Sequence, residues 1–331
     1  MSWTGSGTPL EWALFAAVVT VLLVLDLGVW SRGVAPVTPR RALAQTGVSV
    51  AVALAFGLWL GLEGGMERAG LFLTGYLVEE SLSVDNLFVF LLLFSFFKVE
   101  APAQRRALFW GILSSIVLRA ILIWTGTTLV DRAPEVLYLF GVFLLYSAAR
   151  LFFRKEQQPA PEENRVLRLF RRLVPMSPDY QGTRFLTRVE GAVRATPLLA
   201  VLVVVETTDL LFALDSVPAI IGITTDKFLV YTSNVFAICA LRSLYFALAG
   251  MMGRFRYLRA GLATLLVFIG AKLLLDPWIT RALGHPLPVW VPLLVTLGCI
   301  GTAIAASFRV DSSASGDGDG GEREREGSHH A

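Results

Sequence analysis

The chain has 331 residues, of which 55% are hydrophobic and 17% charged, with a mean hydropathy of +0.63. Soluble domains carry about a quarter charged residues, so composition excludes a water-soluble globular protein and indicates a polytopic membrane protein. The net charge of +3 and pI near 9.0 suit the positive cytoplasmic loops of an inner-membrane protein and call for no nucleic acid partner.

Taken in order, Met1 to Pro9 is small and polar and lacks the basic start of a secretory signal. Nine apolar spans follow, each long enough for a hydrocarbon core of about 30 Å. They cover about Leu10–Trp30, Ala42–Leu62, Ala69–Phe97, Ala107–Val130, Pro134–Phe153, Thr196–Ile223, Phe228–Met252, Leu258–Leu275 and Pro288–Phe308. Residues 1–153 therefore hold spans one to five and 196–308 hold spans six to nine. Between them, 154–195 is an Arg-rich cytoplasmic loop whose segment Asn164–Val174 has the pattern of an amphipathic surface helix. The tail, 309–331, is Ser, Gly, Asp, Glu and Arg, a composition that cannot bury a core. With the N-terminus outside and the C-terminus cytoplasmic, 22 of the 29 Lys and Arg fall in cytoplasmic loops or tail, four outside and three within spans. That asymmetry sets the expected orientation.

Two spans carry acidic nests. Span three contains Glu79, Glu80, Ser83, Asp85 and Asn86; span six contains Glu206, Thr208, Asp209, Asp215 and Ser216. An ionised carboxylate at the bilayer centre costs at least roughly 2.5–3.5 kcal/mol, so such groups are rarely idle. Aligning Asp85 with Asp215 places Glu79 on Asp209, and the next span of each unit holds a buried arginine, Arg119 or Arg242. This pattern is that of an inverted repeat, spans 3–5 against 6–8, which places a substrate site near the midplane. At about 100° per residue both nests spread their oxygens over one broad arc, with Glu80 fitting least well. Pro218, just after Asp215, is expected to interrupt its helix and free carbonyls for coordination.

A census of charge narrows the chemistry. Seven intramembrane acids (Asp26, Glu79, Glu80, Asp85, Glu206, Asp209, Asp215) meet three bases, Arg119, Arg242 and Lys272. The surplus carboxylates must be protonated, hydrated or bound to cations. Carboxylate, hydroxyl and amide oxygens without Cys or His favour hard divalent ions such as Mn²⁺, Mg²⁺ or Ca²⁺. The two cysteines, Cys239 and Cys299, lie in apolar runs, and the histidines are His285, His329 and His330, away from the nests. The expected ligands are Asp85, Asp209, Asp215, Glu79, Glu206, Asn86, Ser216 and Asp26, with Arg119, Arg242 and Lys272 pairing charge. The bland alternative is that these groups only bridge helices. No nucleophile–base pair or cofactor fingerprint appears, so neither an enzyme nor a resident cofactor is expected.

The string Glu79-Glu80-Ser81-Leu82-Ser83-Val84-Asp85-Asn86-Leu87-Phe88 resembles the first signature of the TerC family, and Asp209 to Ala219 resembles the second. Asp26-Leu27-Gly28, Arg119-Ala120, Tyr231-Thr232-Ser233-Asn234 and Leu241 to Phe246 add further matches in order. The resemblance implies a bacterial inner-membrane protein related to the LysE exporter superfamily, whose members are linked to tellurite resistance and manganese efflux. Together the residues and the resemblance lead to an all-α, nine-span exporter of divalent cations, Mn²⁺ foremost, with H⁺ as a coupling ion. The alternative is a non-transporting membrane component of a tellurite-resistance or envelope-stress complex, docking a cytoplasmic partner on the 154–195 loop. An amino-acid exporter fits less well, because a surplus of acids repels a substrate carboxylate.

Overall fold

Regular hydrogen bonding is what an apolar chain needs at hydrocarbon depth, and helices supply it within one segment. A computed structural model describes residues 7–28, 38–153, 165–189, 191–249, 257–285 and 287–316, without the side chains of 26–28, 85, 165–166 and 308–316. The element order is α1 (Pro9–Gly28), α2 (Pro39–Gly64), α3 (Met66–Phe96), α4 (Ala101–Arg132), α5 (Val136–Phe153), α6 (Arg165–Leu173), β1 (Leu186–Val189), β2 (Ala192–Ala195), α7 (Pro197–Ile221), α8 (Lys227–Leu248), α9 (Leu258–Leu283) and α10 (Trp290–Gly316). The chain is an all-α polytopic membrane protein. Among the described residues, seven helices are long and apolar enough to cross a bilayer: α2, α4, α5, α7, α8, α9 and α10. Of the other two expected spans, α1 is apolar over Pro9–Leu25, and α3 has 31 residues but carries the first nest.

Local sequence explains the ends. Proline opens α2, α4 and α7, where a missing N–H costs nothing. The Asp226 carboxylate caps α8, accepting from the amides of Phe228 (2.9 Å) and Leu229 (3.3 Å). Gly284, at φ 78°, closes α9 in the left-handed conformation. Three ends lie well beyond the expected spans: α4 begins at Ala101 rather than Ala107, α9 continues through Pro277 to Leu283, and α10 runs on to Gly316, into the expected tail.

Pro218 does not interrupt α7. The helix passes through it to Ile221, and the Pro218 carbonyl still accepts from the Gly222 amide at 2.9 Å. The missing donor removes only the bond to the carbonyl four residues back, that of Leu214. The expected set of freed carbonyls is therefore corrected to one.

Helix α8 is the hub: 89% of its apolar window is buried, against 22–44% for the other six helices, and it packs against α1, α2, α3 and α4. The other main pairings are α5 with α9, α4 with α7, α2 with α3, α9 with α10, α3 with α7, α3 with α10 and α5 with α7, with a lighter contact of α3 with α9. Exchanging α3 with α7, α4 with α8 and α5 with α9 turns α3–α8 into α4–α7 and α3–α9 into α5–α7, and returns α3–α7, α4–α8 and α5–α9 to themselves. At the α5–α9 seam the backbones nearly touch. A Cβ on Gly270 would lie 2.9 Å from the Gly141 carbonyl oxygen, and one on Gly141 would lie 3.1 Å from that of Gly270. Small residues allow this approach in membranes.

Polar contacts mark two opposite faces. Arg68 pairs with Glu11 (2.7 Å) and Lys227 with Asp131 (2.8 Å), which gathers the starts of α1, α3 and α8 with the end of α4. At the other face the Tyr180 hydroxyl donates to the Phe97 carbonyl (2.8 Å), Arg106 to Thr183 (3.3 Å), and Tyr245 to Gln104 (3.0 Å). Burial pushes the Tyr180 phenol up, against a smaller opposing pull from Arg171, so it keeps the proton it donates. Residues 175–196 were expected as loop but contain the antiparallel pair β1–β2, which an Arg-, Pro- and Gly-interrupted stretch did not advertise.

Candidate functional site

Among the described residues the largest fully buried side chain is that of Arg119, on α4, with no exposed surface. Its Nη1 donates to Glu79 Oε1, to the Asn234 Oδ1 (3.2 Å) and to the Ser216 hydroxyl (3.3 Å). Its Nη2 donates to Asp209 Oδ1 at 3.4 Å. Glu79 also accepts from Asn234 Nδ2 (3.0 Å) and Ser83 (3.4 Å), and Asp209 accepts from Ser115 at 2.6 Å. Four helices thus meet on one guanidinium. Asp209 lies twelve residues from either end of α7, and Glu79 lies thirteen from the start of α3 and seventeen from its end. The network therefore sits at mid-helix depth, where the cost of an unpaired charge is greatest.

The remaining acids do not join it. Glu206, one turn before Asp209, lays its carboxylate over Gly111 of α4, 3.3 Å from where a Cβ would stand. Both its oxygens are buried without a hydrogen bond, while the neighbouring Ser114 hydroxyl donates to the carbonyls of Trp110 (2.7 Å) and Gly111 (3.0 Å). Between Glu206, Asp209 and Ser115 lies a cavity of about 20 Å³, walled by apolar side chains of α3, α4 and α8. That is room for about one water. Asp215 turns the other way, toward α5, and accepts from Ser147 at 2.7 Å. Glu80 is not among the partners of Arg119; its Oε2 is buried and unbonded, as is the hydroxyl of Tyr76 one turn earlier.

The two nests therefore do not present one shared arc. Glu79, Asp209, Ser216 and Ser83 converge, Glu206 lies beside them, and Asp215 and Glu80 take no part. The reason is that helical angle gives a direction but not the neighbour standing there. Thr208 bonds its own helix, at the Val204 carbonyl (2.7 Å), and Asn86 is buried on α3. Arg242 is buried on α8, eight residues past Asn234, about 12 Å along the axis. Lys272 stands apart from both nests: its Nζ donates to the Gly222 carbonyl at 2.9 Å, in a cleft of about 540 Å³ shared with Glu135, Thr224, Thr225 and Asp276. The side chains of Asp85 and Asp26 lie outside the described residues. Among the described residues, no three His, Cys, Asp or Glu side chains are grouped to hold a metal ion.

Residues 65–315 match the model of the integral membrane protein TerC family. The chain belongs to the TerC family. It is 44% identical to an uncharacterized membrane protein of Myxococcus xanthus over 302 residues, 91% of this chain and 93% of that one. It is 41% identical over 315 residues to Alx of Escherichia coli K12, a protein named as a candidate membrane-bound redox modulator, covering 92% and 95% of the two chains. Identity to the chloroplastic thylakoid membrane protein TERC of Arabidopsis thaliana is 41% over 239 residues, 72% of this chain and 62% of that one. No solved structure matches.

Both TerC signature strings thus end on one arginine, through Glu79 and Asp209. Four contributors were not among the expected site residues: Ser115, Asn234, Ser147 and Gly111. Asn234 lay in a matched TerC string, and Ser115 sits one turn before Arg119, on the same helix face. Nothing in the sequence marked Ser147 or Gly111 as different from ordinary small residues in a span.

Proposed function

We propose that this TerC-family chain is a membrane transporter that exports divalent metal cations, Mn²⁺ foremost, through its intramembrane carboxylates, with protons as the exchanged ion. The observation that carries the reading is the surplus of buried acid. Arg119 is shared by Glu79 and Asp209, which leaves Glu206 and one oxygen of Glu80 buried without hydrogen bonds. A carboxyl in that state is protonated, hydrated or cation-bound, and protons and hard cations compete for the same oxygens. Oxygen-only donors favour Mn²⁺, Mg²⁺ or Ca²⁺ over softer ions. A cation arriving near Asp209 would contend with Arg119, so loading requires that the guanidinium stay on Glu79 or move. We place the protein in a bacterial inner membrane with its N-terminus outside, on the distribution of Lys and Arg.

The test is metal flux in proteoliposomes, comparing Mn²⁺ with Ca²⁺, Mg²⁺ and Zn²⁺ under an imposed pH gradient. The expected result is Mn²⁺ movement driven by the gradient and lost in Asp85→Asn and Asp215→Asn, both variants remaining folded. Wild-type flux in either variant overturns the reading. A non-transporting component would instead lose its cellular phenotype on deletion of the 154–195 loop and tolerate the carboxylate changes.

A further inference from the structure

Helix α6 is amphipathic twice over. At about 100° per residue, Leu167 and Phe170 share one face; Leu167 is buried, and Phe170 packs with it on the core formed by α3, α4, α7 and α8. On the flank next to Phe170, Leu169 and Leu173 stand one turn apart and are 56% and 72% exposed. Arg168, Arg171 and Arg172 fill the arc beside that exposed pair, and all three are exposed. The hairpin continues the surface with exposed Leu186 and Val193 (56% and 54%) and exposed Arg184 and Arg188. Against these five arginines, Asp179 is the one carboxylate among the described residues of 165–195.

This platform is fixed to the bundle rather than loosely tethered. Tyr180 bonds the end of α3, Arg106 of α4 bonds Thr183 and lies 5.3 Å over the ring of Phe185, and Thr196 at the start of α7 bonds the Arg184 carbonyl (2.6 Å). It thus projects from the face of the bundle where α3 ends and α4 and α7 begin, beyond the ends of the apolar helices. Exposed leucines flanked by arginines suit one environment there: acyl chains below and negative charge above.

From this we infer that α6 and the β1–β2 hairpin form a binding platform for anionic phospholipid, with Leu169 and Leu173 dipping into the interface and Arg168, Arg171 and Arg172 holding phosphate groups. The inference does not depend on what the protein transports. Full-length protein is placed in nanodiscs of phosphatidylcholine or of an equal mixture with phosphatidylglycerol, with an environment-sensitive dye on Leu173→Cys in a Cys239→Ala, Cys299→Ala background. Quenching by headgroup-spin-labelled phosphatidylglycerol, relative to labelled phosphatidylcholine, reports preference at the platform.

The expected result is a preference for phosphatidylglycerol that high salt erases. Each arginine changed to Gln should lower it about five-fold, the equivalent of about 1 kcal/mol per basic side chain at a charged surface. Monodisperse elution of each variant on size exclusion shows that the fold is kept. Equal quenching by the two lipids, or an undiminished preference in the triple Gln variant, overturns the proposal. So does the absence of quenching by either lipid, which would turn the surface away from the bilayer and toward a soluble acidic partner.

Discussion

Glu79 and Asp209 belong to different helices yet hold the same guanidinium, that of Arg119. Because they occupy matching places in the two nests, the pair ties the two candidate repeats together at their centre. A buried pair of this kind is weak evidence for net stabilisation, but breaking it on one side leaves charge stranded.

Removing Arg119 is therefore expected to be severe. Arg119→Leu strands two buried carboxylates and should cost about 3–5 kcal/mol. In the triple variant Glu79→Gln, Asp209→Asn, Arg119→Met the stranded charge is gone, and much of the loss should return. Thermal unfolding in detergent, followed by size exclusion, compares the two; equal instability would mean that the network's shape matters more than its charge.

Glu206 should behave oppositely. Since its oxygens have no hydrogen bonds to lose, Glu206→Gln is expected to leave stability within about 1 kcal/mol, the scale of one ordinary hydrogen bond. Under the proposed function, the same variant should slow proton-driven Mn²⁺ flux by ten-fold or more. Unchanged flux would remove Glu206 from the transport path.

Much of the fold was legible, because hydropathy alone locates spans when each must cover about 30 Å of hydrocarbon. Charge counting named Arg119, Arg242 and Lys272 alike as partners for the acids; Arg119 holds Glu79 and Asp209, whereas Lys272 bonds the Gly222 carbonyl instead. The partition of the nests was not legible. Asp215 finds Ser147 and Asp209 finds Ser115, on α5 and α4, and no periodicity within α7 reveals which helix stands on each side. Pro218 misled because a proline removes only one donor, the one to the Leu214 carbonyl, and α7 carries on through it to Ile221. The β1–β2 pair went unseen because it is held by Thr196, Met176 and Pro175 from outside the strands rather than by its own pattern.

The cap of α8 offers a cleaner test. Asp226→Ala removes the acceptor for the amides of Phe228 and Leu229, which should cost about 1 kcal/mol. Asp226→Asn, which keeps an acceptor, should cost less. Thermal shift in detergent separates them, and equal losses would point to the carboxylate's charge instead.

The α5–α9 seam predicts a steric effect. Gly270→Ala sets a methyl 2.9 Å from the Gly141 carbonyl oxygen, backbone that cannot swing aside. Overpacking of this kind should destabilise by about 1–3 kcal/mol. Gly298→Ala on α10, where nothing lies within 4 Å, is the control and should be neutral.

That seam has a mechanical side. Gly141 follows Asp85 by 56 residues and Gly270 follows Asp215 by 55, so the backbone contact falls at nearly the same point of both halves. Leu274 of α9 and Leu145 of α5 flank the contact, each reaching to 3.0–3.2 Å of where a Cβ on the opposite glycine would stand, so the seam is locked by side chains on either side of the backbone contact. The two glycines thus mark where the halves are held closest, and the Arg119 network of α3, α4, α7 and α8 is a second fastening at the centre of the bundle.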